Sequence, residues 1–221
     1  MNTIQLQASD GHSFSAHREV PGGPIRGAVV IVQEILGVTP YIQRVCKRFA
    51  DAGFVATAPA LFDRFERDVS LGMSSEDVAR GRELRAKAGF DLPLLDIASA
   101  VAASAEFGPV AVVGFCWGGT LAWRMAHAEG VSAVVCYYGG QIPDFLDEAP
   151  TVPVLLHFGV QDPVLPPEAR ERIASAYPDI PSHLYPAGHA FDNDARDDHD
   201  PESSRIAHER TVSFLRSVFE R

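Results

Sequence analysis

Three residues of this 221-residue chain have the types and the order of a covalent catalyst: Cys116, Asp162 and His189. Cys116 lies in Gly114-Phe-Cys-Trp-Gly118, directly after the apolar run 110–113 and before a helical pattern. A G-x-nucleophile-x-G segment between a strand and a helix makes a sharp turn that needs small neighbours two residues on either side of the nucleophile. Backbone amides at such a turn, and the helix N-terminus behind it, favour both a thiolate and an oxyanion. A cysteine nucleophile needs a histidine base and an orienting carboxylate. The apolar run 154–158 ends in Gly159-Val-Gln-Asp162-Pro163, and Pro186-Ala-Gly-His189-Ala-Phe191 places His189 in a glycine-bordered loop after a further strand. Alone, each has an unremarkable reading: a buried cysteine after a glycine turn, a turn-forming aspartate before proline, a loop histidine. Together they fall at three C-terminal strand ends, where open α/β sheets place active-site residues, in the chain order nucleophile, acid, base.

The other candidates carry less. Cys46 in an amphipathic helix and Cys136 in a strand read as core residues, and His157, inside an apolar strand, as a core histidine with a satisfied ring nitrogen. His12, His17, His127, His183, His199 and His208 read as surface residues. Residues 192–202 hold six acids in eleven positions but lack the glycine and spacing of a calcium loop, so a solvated loop is expected and no metal site.

The elements that must hold these residues alternate. Residues 3–7 and 13–19, separated by Asp10-Gly11, read as an antiparallel opening. Residues 27–32 form a β-branched run with no polar face, expected of a strand buried on both sides. A helix at 41–52 and a strand at 54–58 follow, then an irregular polar stretch at 63–75 and helices at 76–88 and 92–105. Strands at 110–113, 131–137, 154–158 and 182–185 alternate with helices at 121–128, 166–177 and 203–219. The pattern predicts an α/β fold, a mainly parallel central sheet with helices on both faces, in one domain spanning 1–221.

Composition sets limits. Asp plus Glu outnumber Lys plus Arg, 29 to 19, and the net charge of −10 disfavours a nucleic-acid partner. No apolar run approaches the roughly 18 residues that cross a bilayer, and residues 1–10 lack the pattern of a signal peptide. The cytoplasm is the default location. Three cysteines without a CxxC pair argue against a disulfide framework or structural zinc.

Gln33-Glu-Ile-Leu-Gly-Val38, Gly114-Phe-Cys-Trp-Gly-Gly119, Tyr137-Tyr-Gly139, Gly159-Val-Gln-Asp162 and Ala187-Gly-His-Ala-Phe191 together resemble the dienelactone hydrolase family. The resemblance spans almost the whole chain. It implies an α/β-hydrolase fold with a Cys116, His189 and Asp162 triad, an oxyanion hole from the amides of Ile35 and Trp117, and no cofactor. It also implies that Glu34 gates the cysteine, holding the resting thiol until substrate displaces it. Family members that open a carboxylated dienelactone hold the carboxylate with two arginines. Arg80 matches the first, with Arg82 as the alternative and Tyr138 as a further substrate contact. The second position holds Asn193, with Arg196 the candidate to replace it. A monomer is the family default.

Cysteine also restricts the substrate. A thiolate leaves a tetrahedral adduct more readily than an alkoxide or amine, so the substrate needs a good leaving group. Enol lactones and activated esters fit, and amides do not. The expected activity is hydrolysis of such a lactone. A general carboxylesterase or thioesterase is the alternative enzyme, and a ligand-binding or thiol-sensing module the non-catalytic one.

Overall fold

The computed structural model describes residues 2–220, leaving Met1 and Arg221 outside the described residues. Eight strands form one sheet: β1 (Thr3–Gln7), β2 (Ser13–Glu19), β3 (Ala28–Val32), β4 (Val55–Pro59), β5 (Val110–Phe115), β6 (Val131–Tyr137), β7 (Val154–Gly159) and β8 (Ser182–Tyr185). Their spatial order is β1-β2-β4-β3-β5-β6-β7-β8. The pairs β1–β2 and β2–β4 are antiparallel and all others parallel.

The run expected to be buried on both sides is so, because β3 alternates between two cores. Ala28, Val30 and Val32 face one, Val29 and Ile31 the other. Helices α1 (Pro40–Asp51) and α6 (Pro201–Phe219) cover the second face through Ile42, Val45, Phe49, Ala207 and Leu215. Helices α2 (Ser75–Ala88), α3 (Leu92–Ala102), α4 (Trp117–Arg124) and α5 (Pro167–Ala176) supply Leu84, Ile97, Leu121 and Ile173 to the first. Each fully buried side chain of this size contributes about 1.5–3 kcal/mol relative to exposure. Cys46 and Cys136 are wholly buried in these cores, and desolvation pushes both thiols well above their ordinary value.

Local chemistry sets the helix starts nearest the site. Thr39 accepts the Ile42 amide at 3.4 Å ahead of Pro40. Asp200 accepts the Ser203 amide at 2.7 Å ahead of Pro201. The largest departure from the sequence-based elements is α4, which starts at Trp117 rather than 121 and ends at Arg124 rather than 128. Its first turn contains Gly118 and Gly119, which are poor helix formers. A Cβ on Gly118 would lie 2.3 Å from the Val32 carbonyl oxygen, so close packing on β3 outweighs propensity there.

Candidate active site

Cys116 is the residue between β5 and α4, with φ of 54° and ψ of −117°. A non-glycine residue held in this region costs of order 1–3 kcal/mol, and the surroundings must enforce it. They do: its amide donates to the Tyr137 carbonyl at 3.0 Å, and its carbonyl accepts the Gly119 amide at 2.9 Å. A Cβ on Gly114 would lie 1.9 Å from the Gly118 carbonyl oxygen, so the glycine spacing read from sequence is a steric requirement.

The turn presents the sulfur to His189, whose Nε2 lies 3.1 Å from Cys116 Sγ. His189 Nδ1 lies 2.8 Å from Asp162 Oδ2. Asp162 is buried, and its other oxygen accepts the Val164 amide at 2.7 Å and the Leu165 amide at 3.3 Å. An acceptor so engaged fixes Nδ1 as the protonated nitrogen and turns Nε2 toward sulfur. Burial alone would disfavour the imidazolium. The adjacent Cys116 and the bonds to Asp162 and Cys116 outweigh it and push His189 up to about 10.

Glu34 follows the end of β3, is buried, and lines a cavity of about 760 Å³ beside Cys116. Its Oε2 accepts from Asn193 Nδ2 at 2.7 Å, while Oε1 has no partner among the described residues. Asn193 Oδ1 accepts the Ala195 amide at 3.0 Å, which sets the amide orientation and aims Nδ2 at Glu34. Desolvation raises the Glu34 pKa above the ordinary carboxylate value, against the lowering effects of Arg196 and Asn193. Thus Glu34 is paired with Asn193 and Cys116 with His189, whereas the resemblance implied a resting thiol held by the glutamate. Ile35 and Trp117 flank Cys116 in the cavity wall, and their amides donate to no backbone or side-chain acceptor among the described residues. The Trp117 ring is fixed by stacking on Phe62, with centroids 5.5 Å apart.

Two expected substrate contacts fall elsewhere. Arg80 points away from the cavity and pairs with Glu66 and, at 3.0 Å, with Glu83. Arg82, about 200° further round α2, lines the cavity with Arg85. Tyr138 is fully buried behind His189, ring centroids 5.2 Å apart, and is not among the residues lining the cavity. Arg196 and His199 line it from the loop after His189, with Gln141 and Gln161 opposite. Arg82, Arg85 and Arg196 make no ion pair among the described residues.

The histidines read as surface residues are mostly half-buried, only His127 being exposed. His208 packs edge-on against Phe49, and desolvation lowers it to about 4. The acidic stretch is solvated except at Asp192, which is buried and pairs with Arg48; Asp194, Asp197, Asp198 and Glu202 are exposed, Asp194 pairing with Arg44 and Glu202 with Arg205. Among the described residues no group of three His, Cys, Asp or Glu is placed to hold a metal ion.

A mainly parallel sheet with a strained strand-to-helix turn at Cys116 and a histidine and acid on later strand ends defines an α/β-hydrolase. Within that class, residues 14–219 match the dienelactone hydrolase family, and the chain belongs to it. It is 34% identical to a carboxymethylenebutenolidase of Pseudomonas sp. (strain P51), with 97% of this chain and 94% of the relative covered. It is 31% identical to one of Pseudomonas putida, covering 96% and 94%. A crystal structure from Klebsiella pneumoniae assigned as a dienelactone hydrolase superposes with a TM-score of 0.79 at 26% identity, covering 99% of both chains. This protein is a hydrolase of carboxylic esters or lactones.

Proposed function

We propose that this chain opens carboxylate-bearing enol lactones or comparably activated esters through a thioester on Cys116. The observation that carries this reading is the line Sγ to Nε2 at 3.1 Å and Nδ1 to Oδ2 at 2.8 Å, set at the wall of a cavity lined by three arginines that make no ion pair among the described residues.

Sγ attacks the carbonyl carbon as His189 takes the thiol proton. The amides of Ile35 and Trp117 stabilise the oxyanion. Collapse breaks the ring C–O bond, His189 returns the proton to the departing oxygen, and the acyl group remains on sulfur. His189, oriented by Asp162, then removes a proton from water, whose oxygen attacks the thioester. The acid leaves and Sγ regains its proton. Arg82 and Arg196 attract the substrate carboxylate into a protein whose net charge is −10.

The test compares wild type, Cys116→Ala and His189→Ala on p-nitrophenyl acetate and on an enol lactone, with mass spectrometry of the acyl adduct. Turnover and an adduct in wild type alone are expected, and equal background rates in all three would sink the reading. Asn193 at the second clamp position favours one other reading, a general carboxylesterase or thioesterase. kcat/KM on dienelactone, aryl ester and thioester decides between them. Best activity on a neutral ester, with none on the lactone, overturns the lactone assignment.

A further inference from the structure

His189 is held at both ring nitrogens, but two contacts along one edge-to-edge line leave the imidazole free to tilt about that line. The third contact is Tyr138, whose ring meets His189 edge-to-face at 62°. Tyr138 is itself fixed from a distance. Its hydroxyl lies 3.3 Å from that of Tyr41, and the Tyr41 hydroxyl donates to Asp192 Oδ2 at 2.7 Å. Since an ionised carboxylate only accepts, Tyr41 spends its proton on Asp192 and must accept the proton of Tyr138, so the chain has one direction. Burial keeps both phenols protonated, with pKa values raised well above the ordinary one.

Asp192 closes the chain. It is buried three residues after His189, and it accepts from Arg48 Nη2 at 2.6 Å and Ser204 Oγ at 2.7 Å as well as from Tyr41. These partners come from α1 and α6, so the carboxylate ties the histidine loop to both helices on that face. The loop needs such a tie. Ala190, next to His189, has φ of 59°, and Tyr138 has φ of 40°, both in a region that L residues occupy only under restraint.

We propose that Tyr138, held by Asp192 through Tyr41, is a positioning residue for His189, fixing the tilt that keeps Nε2 aimed at Cys116 Sγ. The inference rests on the reading of His189 as the base. It assigns a function to Tyr138 other than substrate contact, and to an acid–tyrosine pair that touches neither substrate nor reacting atoms.

The experiment measures kcat, KM and Tm on p-nitrophenyl acetate for Tyr41→Phe, Tyr138→Phe, Tyr138→Leu and Asp192→Asn, with His189→Ala alongside. Tyr41→Phe removes the relay hydroxyl without changing volume, so it remains informative if Asp192→Asn, which removes the charge that the half-buried Arg48 pairs with, fails to fold. The expected result is a kcat about tenfold lower in Tyr41→Phe and about a hundredfold lower in Tyr138→Leu, with KM within about twofold, well below each Tm. The double variant Tyr41→Phe/Tyr138→Phe is expected to be no slower than the worse single, because both cut one chain. Unchanged kcat in folded Tyr41→Phe and Tyr138→Leu, with His189→Ala inactive, overturns the positioning role alone. An active His189→Ala overturns the reading of the base, and this inference with it.

Discussion

His157 and His189 both have partners at the two ring nitrogens, and those partners shift the two rings in opposite directions. Both are close to Tyr137 or Tyr138. His157 Nδ1 meets the Tyr185 hydroxyl at 2.9 Å, and Nε2 meets Thr211 Oγ1 at 3.0 Å. His189 has Asp162 and Cys116 at those places. Hydroxyls do not repay the desolvation of a charged ring, so burial drives His157 well below its ordinary value, with His183 and Arg210 adding to the effect. Groups that carry or acquire negative charge do repay it, and His189 is pushed up to about 10. The difference also follows position. His157 is within β7 and fully buried, while His189 lies in the loop beyond β8 at the cavity wall. Burial disfavours the charged form of both rings, and the charge of the partners decides which of them overcomes it.

Four results would break or sharpen this contrast, in order of expected size. Cys116→Ala removes the sulfur partner and is expected to lower kcat/KM by about a thousandfold or more in steady-state assays. Asp162→Asn keeps the shape but can present its amide to Nδ1. A kcat loss of about a hundredfold or more is expected, with folding retained by circular dichroism. His157→Gln should do the reverse, leaving kcat within about twofold while urea denaturation shows a loss of about 2–4 kcal/mol, because Tyr185 and Thr211 lose their partner in the core. A large kcat loss there would end the distinction between the two rings.

The smallest effect is on pH dependence. An unfolded chain protonates His157 near 6.5 while the native ring resists, so native stability falls as pH drops below about 6.5. His189 has the opposite sign. Its native value of about 10 exceeds the unfolded one, so its contribution is complete below about 6.5 and is lost as pH rises through 10. Denaturation curves at pH 5 and 7 are expected to differ less in His157→Gln than in wild type. NMR titration should show His157 silent through the neutral range. In Cys116→Ala, the His189 midpoint should move down from about 10.

Much of this was readable from the chain. His157 sits in the run Val154-Leu-Leu-His-Phe158 and was readable as a core residue, and His189, between Gly188 and a short loop, as a candidate base. The substrate-side residues were less readable. Arg80 and Arg82 are two residues apart, and only the rotation of α2 against the sheet determines that Arg82 meets the cavity while Arg80 meets Glu66 and Glu83. Tyr138, expected as a substrate contact through the resemblance, follows the last residue of β6 and is buried with its ring against His189 instead. The acids at 192–202 carried no local sign of their separate partners on α1 and α6. The only hint was their density just after His189.

By itself, the sequence determined the alternation of strands and helices, the elbow glycines, and the order of nucleophile, acid and base. These are local properties, set by periodicity, by turn sterics and by the position of each residue at a strand end. The tertiary structure alone decided which groups pair across the fold. Glu34 meets Asn193 at a separation of 159 residues, and Tyr41 meets Asp192 at 151. Such pairings depend on strand order, helix rotation and the path of one long loop. Those are settled by packing over the whole core, and no window of the chain contains them.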